Sequence, residues 1–244
     1  MLDTTGTILA ATAITVVLTG VVSTMPIQLP RRLALAAGVG AWVGLAAAVA
    51  GAGDLADPRI TLAFFAFPLA TTAALALGYP SARNALRAIP MPLLIGLNLI
   101  RVGGVLFVLL AFAGRLAGPF PYSAGLGDFI TGVLAVPVAR LSTKGPLKHN
   151  RLIAAWNAFG ALDLIVAVAL GITSRNGSPI QLIHAGVGTA AMTALPWALV
   201  PTVLVPFFLI AHSIVFAQLR AQTAHETGAR SISTGQLEPR AVGP

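Results

Sequence analysis

The sequence contains no cysteine, so disulfides, thiolate metal sites and a cysteine nucleophile are all excluded. Charge is scarce as well: 9% of the 244 residues are Asp, Glu, Lys or Arg, against roughly 25% in soluble domains. Lysine is confined to Lys144 and Lys148, both in a polar stretch between apolar runs. No basic residue precedes the first apolar run, where the sole charged side chain is Asp3. A cleavable signal peptide needs a basic start, so this run reads as a retained first helix.

What remains is overwhelmingly apolar. Hydrophobic residues make up 57% of the chain, and the mean hydropathy is +0.88. No soluble fold of this length hides that much apolar surface, so the expected solvent is lipid. The expected class is an all-α integral membrane protein, a bundle of about seven transmembrane helices. A span needs roughly 20 mostly apolar residues. The runs that qualify are Thr7–Val22, Leu33–Ala52, Ile60–Leu77, Pro92–Ala113, Tyr122–Ala139, Leu152–Ile172 and Pro196–Leu219. The stretch Ser178–Leu195, rich in Gly, Ala and Thr, is open to reading as an interfacial helix, a re-entrant piece or an eighth span, while Pro196 argues for a break against its being extra turns of the last helix. Residues 1–220 read as one transmembrane domain. Residues 221–244 are polar without hydrophobic period and read as a disordered cytoplasmic tail. Gly40 and Gly44 form a G-x-x-x-G, which suggests close helix packing. No internal repeat is visible, so a three-plus-one-plus-three arrangement of matching halves finds no support.

The net charge of +8 does not point to nucleic acid, because the basic residues lie in short loops. One alternate set of loops holds Arg31, Arg32, Arg83, Arg87, Arg140, Lys144, Lys148 and Arg151, with Arg220, Arg230 and Arg240 following the last span. The opposite set holds Arg59, Arg115 and Arg175. The positive-inside rule then places the N-terminus outside and the C-terminus in the cytoplasm. The expected site is the cytoplasmic (inner) membrane of a bacterium-like cell.

Ionisable side chains inside a bilayer are rare and usually functional. The candidates are Arg101, Asp128, Asp163 and His212. At about 1.5 Å per residue, Arg101 lies roughly 4 Å to the inner side of its span's centre and Asp128 about 3 Å to the outer side. Asp163 lies within about 2 Å of the centre, and His212 roughly 7 Å to the inner side, level with Asn98. Asn98 and Arg101 share a face. Asp128 shares one with Gly125, Thr131 and Gly132, and Asp163 shares one with Trp156 and Gly160. The fourth, fifth and sixth spans should therefore converge on a polar core, with Trp156 and Asn157 at its cytoplasmic end. One arginine neutralises one aspartate, and a second aspartate is left over. That is the arrangement of a proton relay or proton-coupled carrier, and it competes with a purely structural hydrogen-bond network. Asp163 is the expected partner of Arg101, with Asp128 the free carboxylate. The prolines at 196, 201 and 206 should break the last span, as in transporters with discontinuous helices.

No cofactor is expected. His184 and His212 lie on opposite sides, which rules out a haem held between them, and no His/Asp cluster has the spacing of a metal site. A seven-helix, N-out arrangement is similar to that of rhodopsins, but retinal needs a membrane lysine and none is present. The expected partners are lipid, protons and a small solute. Arg101 leaves an anionic or carboxylated solute open.

Gly125-Leu126-Gly127-Asp128 resembles the G-x-G-D signature of intramembrane aspartyl proteases of the presenilin and prepilin-peptidase type. The resemblance covers four residues. It implies a second aspartate sharing a proton with Asp128, and Asp163 could serve. In that family the partner precedes G-x-G-D, whereas Asp163 follows it, and the family's Pro-Ala-Leu element is absent. Two alternatives to a carrier thus stand: such a protease, and a non-transporting sensor or scaffold.

The charge asymmetry gives the first testable expectation. A fluorescent protein fused to the C-terminus should light up, and alkaline phosphatase fused there should stay inactive. An active C-terminal phosphatase would reverse the orientation.

Overall fold

The computed structural model describes residues 1–144 and 146–235, and no strand occurs among them. Seven helices are long and apolar enough to cross a membrane. They are α1 (Leu2–Thr24), α2 (Leu29–Ala52), α3 (Pro58–Gly78), α4 (Met91–Phe112), α5 (Phe120–Thr143), α6 (Pro146–Thr173) and α7 (Val205–Gly235, entered through a π-helical turn at Val200–Leu204). The chain is a multi-pass, all-helical bundle. A short helix, Pro80–Arg87, links α3 to α4.

Local sequence chemistry sets the boundaries. A proline occupies one of the first two positions of α2, α3 and α5, where its missing N–H costs nothing. Asp57 caps α3, its carboxylate accepting from the Arg59 N–H at 2.8 Å. Gly53 closes α2 in the left-handed conformation, with its N–H on the carbonyls of Ala50 and Val49.

The packed centre is α4 to α7, while α1 to α3 leave most of their surface to the surroundings. The centre is layered along the helix axes. One apolar cluster joins Leu94 and Ile95 of α4, Ala135 and Val138 of α5, Ile153 and Trp156 of α6, and Val215 and Leu219 of α7. A second joins Phe107 and Leu110 of α4 with Phe120 and Ala124 of α5 and with Trp197. Between them, each of the four helices contributes polar side chains.

Helix α4 departs from α geometry where it crosses that polar layer, and α7 does so in the π-helical turn that precedes it. The middle of α4, Leu97–Gly104, is wound as a 3₁₀ helix. With three residues per turn, positions three apart eclipse one another, so Asn98, Arg101 and Gly104 line one edge. All three are buried. In α7, Pro206 has no N–H to return to the carbonyl of Thr202, four residues back. The indole N–H of Trp42 donates to that carbonyl at 3.2 Å, and Trp42 stacks on Phe67 at 4.9 Å. This contact ties peripheral α2 to the centre.

The structure departs from the sequence reading in three places. Ser178–Leu195 is neither a span nor a continuous helix; it is irregular chain with one 3₁₀ turn, Ala190–Thr193. It closes the end of α6. The N–H groups of Leu182 and Ile183 donate to the Thr173 carbonyl at 2.9 and 3.0 Å, and the Thr189 hydroxyl donates to that of Gly171 at 2.8 Å. These carbonyls would otherwise lack partners at the helix terminus. Secondly, a Cβ built on Gly40 or Gly44 would meet nothing within 4 Å beyond its own stretch of helix. The face of α2 that packs within the chain carries Trp42, Ala46 and Ala50, so the G-x-x-x-G makes no close helix contact here. Finally, α7 continues as helix to Gly235, into the segment read as a disordered tail from 221; residues 236–244 of that segment lie outside the described residues.

Tight packing occurs instead between α4 and α5. A Cβ built on Gly132 would lie 2.6 Å from the Val102 nitrogen, and one on Gly125 would lie 2.9 Å from the Gly104 carbonyl oxygen. Gly132→Val or Gly125→Val should each cost about 1–3 kcal/mol through overpacking. Gly40→Ala and Gly44→Ala should be neutral or stabilise by up to about 1 kcal/mol, the helix-propensity gain. Thermal unfolding in detergent, read for all four variants, checks the contrast.

Candidate functional site: a guanidinium shared by three helices

The polar layer is organised by Arg101. Its side chain is 1% exposed, and an arginine in hydrocarbon is tolerable only with its donors engaged. Nε donates to Asp128 Oδ1 of α5 at 2.7 Å, and Nη2 donates to Asp163 Oδ2 of α6 at 2.6 Å. Nη1 is shared among the Asn98 side-chain oxygen at 3.3 Å, the Gly160 carbonyl at 3.1 Å and His212 Nε2 of α7 at 3.1 Å. The Phe208 ring lies beneath the guanidinium, 5.8 Å from centroid to Cζ.

The histidine is held in one tautomer. Arginine has no acceptor atom, so His212 Nε2 must present its lone pair. Nδ1 then carries the proton and donates to Asn157 Oδ1 at 2.8 Å. The Asn157 amide N–H returns to the His212 backbone carbonyl at 3.0 Å. Both residues are buried, and the pair bolts α6 to α7. Trp156, packed 5.5 Å from the His212 ring, donates its indole N–H to the Thr131 carbonyl of α5 at 3.2 Å. Asn98 is fixed by an N–H to Leu94 O at 3.0 Å.

Missing side chains make the room. A Cβ on Gly104 would collide with the Cβ of Asp128, and one on Gly127 would collide with the Asp163 carboxylate. A Cβ on Gly160 would sit 2.7 Å from His212 Cε1. Three glycines on three helices thus leave the space that the two aspartates and the histidine fill.

All seven residues singled out from the sequence, Asn98, Arg101, Asp128, Trp156, Asn157, Asp163 and His212, lie in this one layer. The pairing differs from expectation. Arg101 does not choose Asp163 and leave Asp128 aside; it bonds both. The eclipsed 3₁₀ edge turns the guanidinium squarely between α5 and α6, and Gly104 lets α5 come close enough for Nε to reach Asp128. Sequence reasoning missed the Gly160 carbonyl and the Phe208 ring as partners. Phe208 stands four residues before His212, on the same helical face, which is the signal that could have found it.

The two carboxylates are not equivalent. Each has one oxygen on Arg101, but the Asp128 side chain is 14% exposed and that of Asp163 is 7% exposed. Asp128 lines two neighbouring cavities, of about 270 and 60 Å³. The larger runs from Asp128 between α3, α5, α6 and α7 to the end of the bundle where Arg59 and Arg175 lie. At that end Arg175 donates to the carbonyls of Leu55 (2.6 Å) and Ala56 and to the Thr61 hydroxyl (3.3 Å). Burial pulls its pKa below the usual arginine value, partly offset by the charge of Asp57. No cluster of His, Asp or Glu that could hold a metal occurs among the described residues.

The arrangement predicts a graded response to substitution. Arg101→Ala strands two carboxylates and should cost about 3–5 kcal/mol. Asp128→Asn leaves Arg101 with Asp163 and should cost markedly less. Replacing all three (Arg101→Met, Asp128→Asn, Asp163→Asn) should regain much of the stability lost in Arg101→Ala. Detergent melting curves measure each step, and a silent Arg101→Ala would remove the organising role of the arginine.

Comparison with curated proteins and with solved structures finds no match to this chain. Residues 58–220 match a family described as Domain of unknown function (DUF8737). The matched region begins at the first residue of α3 and takes in every residue of the polar layer described above. It covers about two thirds of the sequence, and the chain belongs to that family.

Proposed function

We propose that the protein is a proton-coupled carrier or permease for a small molecule, in the cytoplasmic membrane of a bacterium-like cell, with its N-terminus outside. The observation that carries this reading is the cavity of about 270 Å³ that ends on Asp128, one of two carboxylates sharing a single guanidinium. With both aspartates ionised the triad holds one negative charge in excess. A proton or a solute arriving through the cavity meets that charge at Asp128. The other charged or titratable groups facing it are Arg101, Asp163 and, through Arg101, His212.

The competing readings are less well supported. An aspartyl protease needs its two carboxyl groups against one another to share a proton. Here the Arg101 guanidinium bonds to each, and no hydrogen bond joins Asp128 to Asp163 among the described residues. A pure scaffold would have its charges sealed by packing, whereas Asp128 borders open space. An anionic solute on Arg101 is disfavoured because the guanidinium is occupied by aspartate.

Proteoliposomes loaded with a pH-sensitive dye test the proposal. Small amines, carboxylates and neutral solutes are added outside, one class at a time. At least one class should change the internal pH through the wild-type protein and leave it unchanged through Asp128→Asn of matched melting temperature. If no class moves protons through a folded protein, the carrier reading is wrong.

A further inference from the structure

The larger cavity has a largely apolar wall, with Arg59 and Arg175 at one end and Asp128 at the other. Its wall is made by Phe65 of α3, Phe107 of α4, Phe120 of α5, Leu164 of α6 and Val205 of α7, with Met192 from the α6–α7 connection. Asp128 stands eight residues into α5 from Phe120, so this floor lies roughly 12 Å along the axis from the level of Phe120.

Most polar groups along the wall are already committed; the Ser178 hydroxyl accepts from the Ile180 N–H at 3.4 Å and its own proton has no acceptor among the described residues. The Thr61 hydroxyl donates to the Leu55 carbonyl, that of Thr189 to Gly171, and that of Thr193 to Ala190. Arg175 turns its donors onto the carbonyls of Leu55 and Ala56 and onto Thr61. Arg59 is exposed at the rim. At the floor the situation is reversed. Asp128 Oδ1 is held by Arg101, while no hydrogen bond reaches Oδ2 among the described residues. The cavity thus presents hydrocarbon and aromatic surface along its length and ends on Asp128, whose Oδ2 has no hydrogen-bond partner among the described residues and lies on the side of Gly104 of α4.

We propose that this cavity binds an organic cation, a protonated amine on an apolar body about the size of one aromatic ring, with its nitrogen against Oδ2 of Asp128. Three observations converge on that class. The ammonium supplies the donor that Oδ2 lacks, and with both aspartates ionised its charge cancels the excess negative charge of the Arg–Asp–Asp triad. The wall, with Phe65, Phe107 and Phe120, accepts the apolar body. An anion would meet the surplus carboxylate at the floor, and the donors left on the lining, Arg59 and the Ser178 hydroxyl, lie at the opposite end with Arg175. The inference rests on the carrier reading for its purpose, since cation and proton would occupy the same carboxylate in turn, but it is a statement about equilibrium binding.

The test uses three molecules of one shape on the purified full-length protein in detergent: phenethylammonium, 2-phenylethanol and phenylacetate, titrated calorimetrically. Phenethylammonium should bind at least about tenfold more tightly than either of the others, and Asp128→Asn should erase that preference. Ala167→Leu, which fills the cavity wall one turn from Asp163 and leaves the triad untouched, should weaken cation binding by a similar factor. This second variant decides the matter if Asp128→Asn fails to fold. Tighter binding of phenylacetate, equal binding of all three, or binding of none overturns the proposal. Cation binding without proton movement in the dye assay would sink the carrier reading and leave this site standing. Proton movement driven by another solute class, with no cation binding, would do the reverse.

Discussion

A guanidinium in hydrocarbon must have its donors satisfied, and in this chain one guanidinium is satisfied by three other helices at once. Arg101 leaves α4 and ends on a carboxylate from α5, a carboxylate and a backbone carbonyl from α6, and an imidazole from α7. Apolar packing in lipid has little directional preference, because lipid tails are as apolar as leucine. The polar layer supplies what that packing lacks: a fixed register for α4 to α7 along their axes. The apolar clusters on either side then pack around positions already set.

The same constraint explains the backbone around the site. A guanidinium meeting two aspartates on adjacent helices requires those helices nearer than ordinary side chains allow. The glycines at 104, 127 and 160 stand where the aspartates and His212 need space, and those at 125 and 132 stand where the α4 and α5 backbones nearly touch. The 3₁₀ winding of Leu97–Gly104 places Asn98, Arg101 and Gly104 along a single line. An ordinary α-helix would fan them around its axis. The irregular winding is therefore part of how the arginine is aimed.

Much of this was legible in the residue pattern. The seven spans follow from hydropathy and length. The membership of the site follows from depth, since Arg101, Asp128 and Asp163, on separate spans, fall within about 4 Å of their spans' centres and His212 lies level with Asn98. The choice of partner was not legible. Weighing Asp163 against Asp128 assumed straight α-helices and a single pair, and a rewound turn of α4 undoes both assumptions. The G-x-x-x-G at Gly40 and Gly44 misled for a related reason. Spacing shows that a helix has a smooth face but not whether a neighbour lies against it, and the inward face of α2 was fixed by Trp42 reaching the carbonyl that Pro206 leaves unpaired. Ser178–Leu195 was ambiguous because Gly, Ala and Thr suit a packed helix and a tight loop equally. The backbone of that segment is engaged in closing the end of α6, a long-range demand that composition does not record.

The charge balance separates this site from a simple structural clasp. A clasp is most stable when its charges cancel and are sealed, because an uncompensated buried charge costs several kcal/mol. Here one arginine faces two aspartates, and Asp128, the more exposed of the two, borders both cavities. Packing that served stability alone would have closed over Asp128 or replaced it with an amide. Its second oxygen instead has no hydrogen-bond partner among the described residues, and Asp128 ends a largely apolar chamber. The surplus carboxylate and the open space thus coincide at Asp128, a coincidence that a structural clasp does not require.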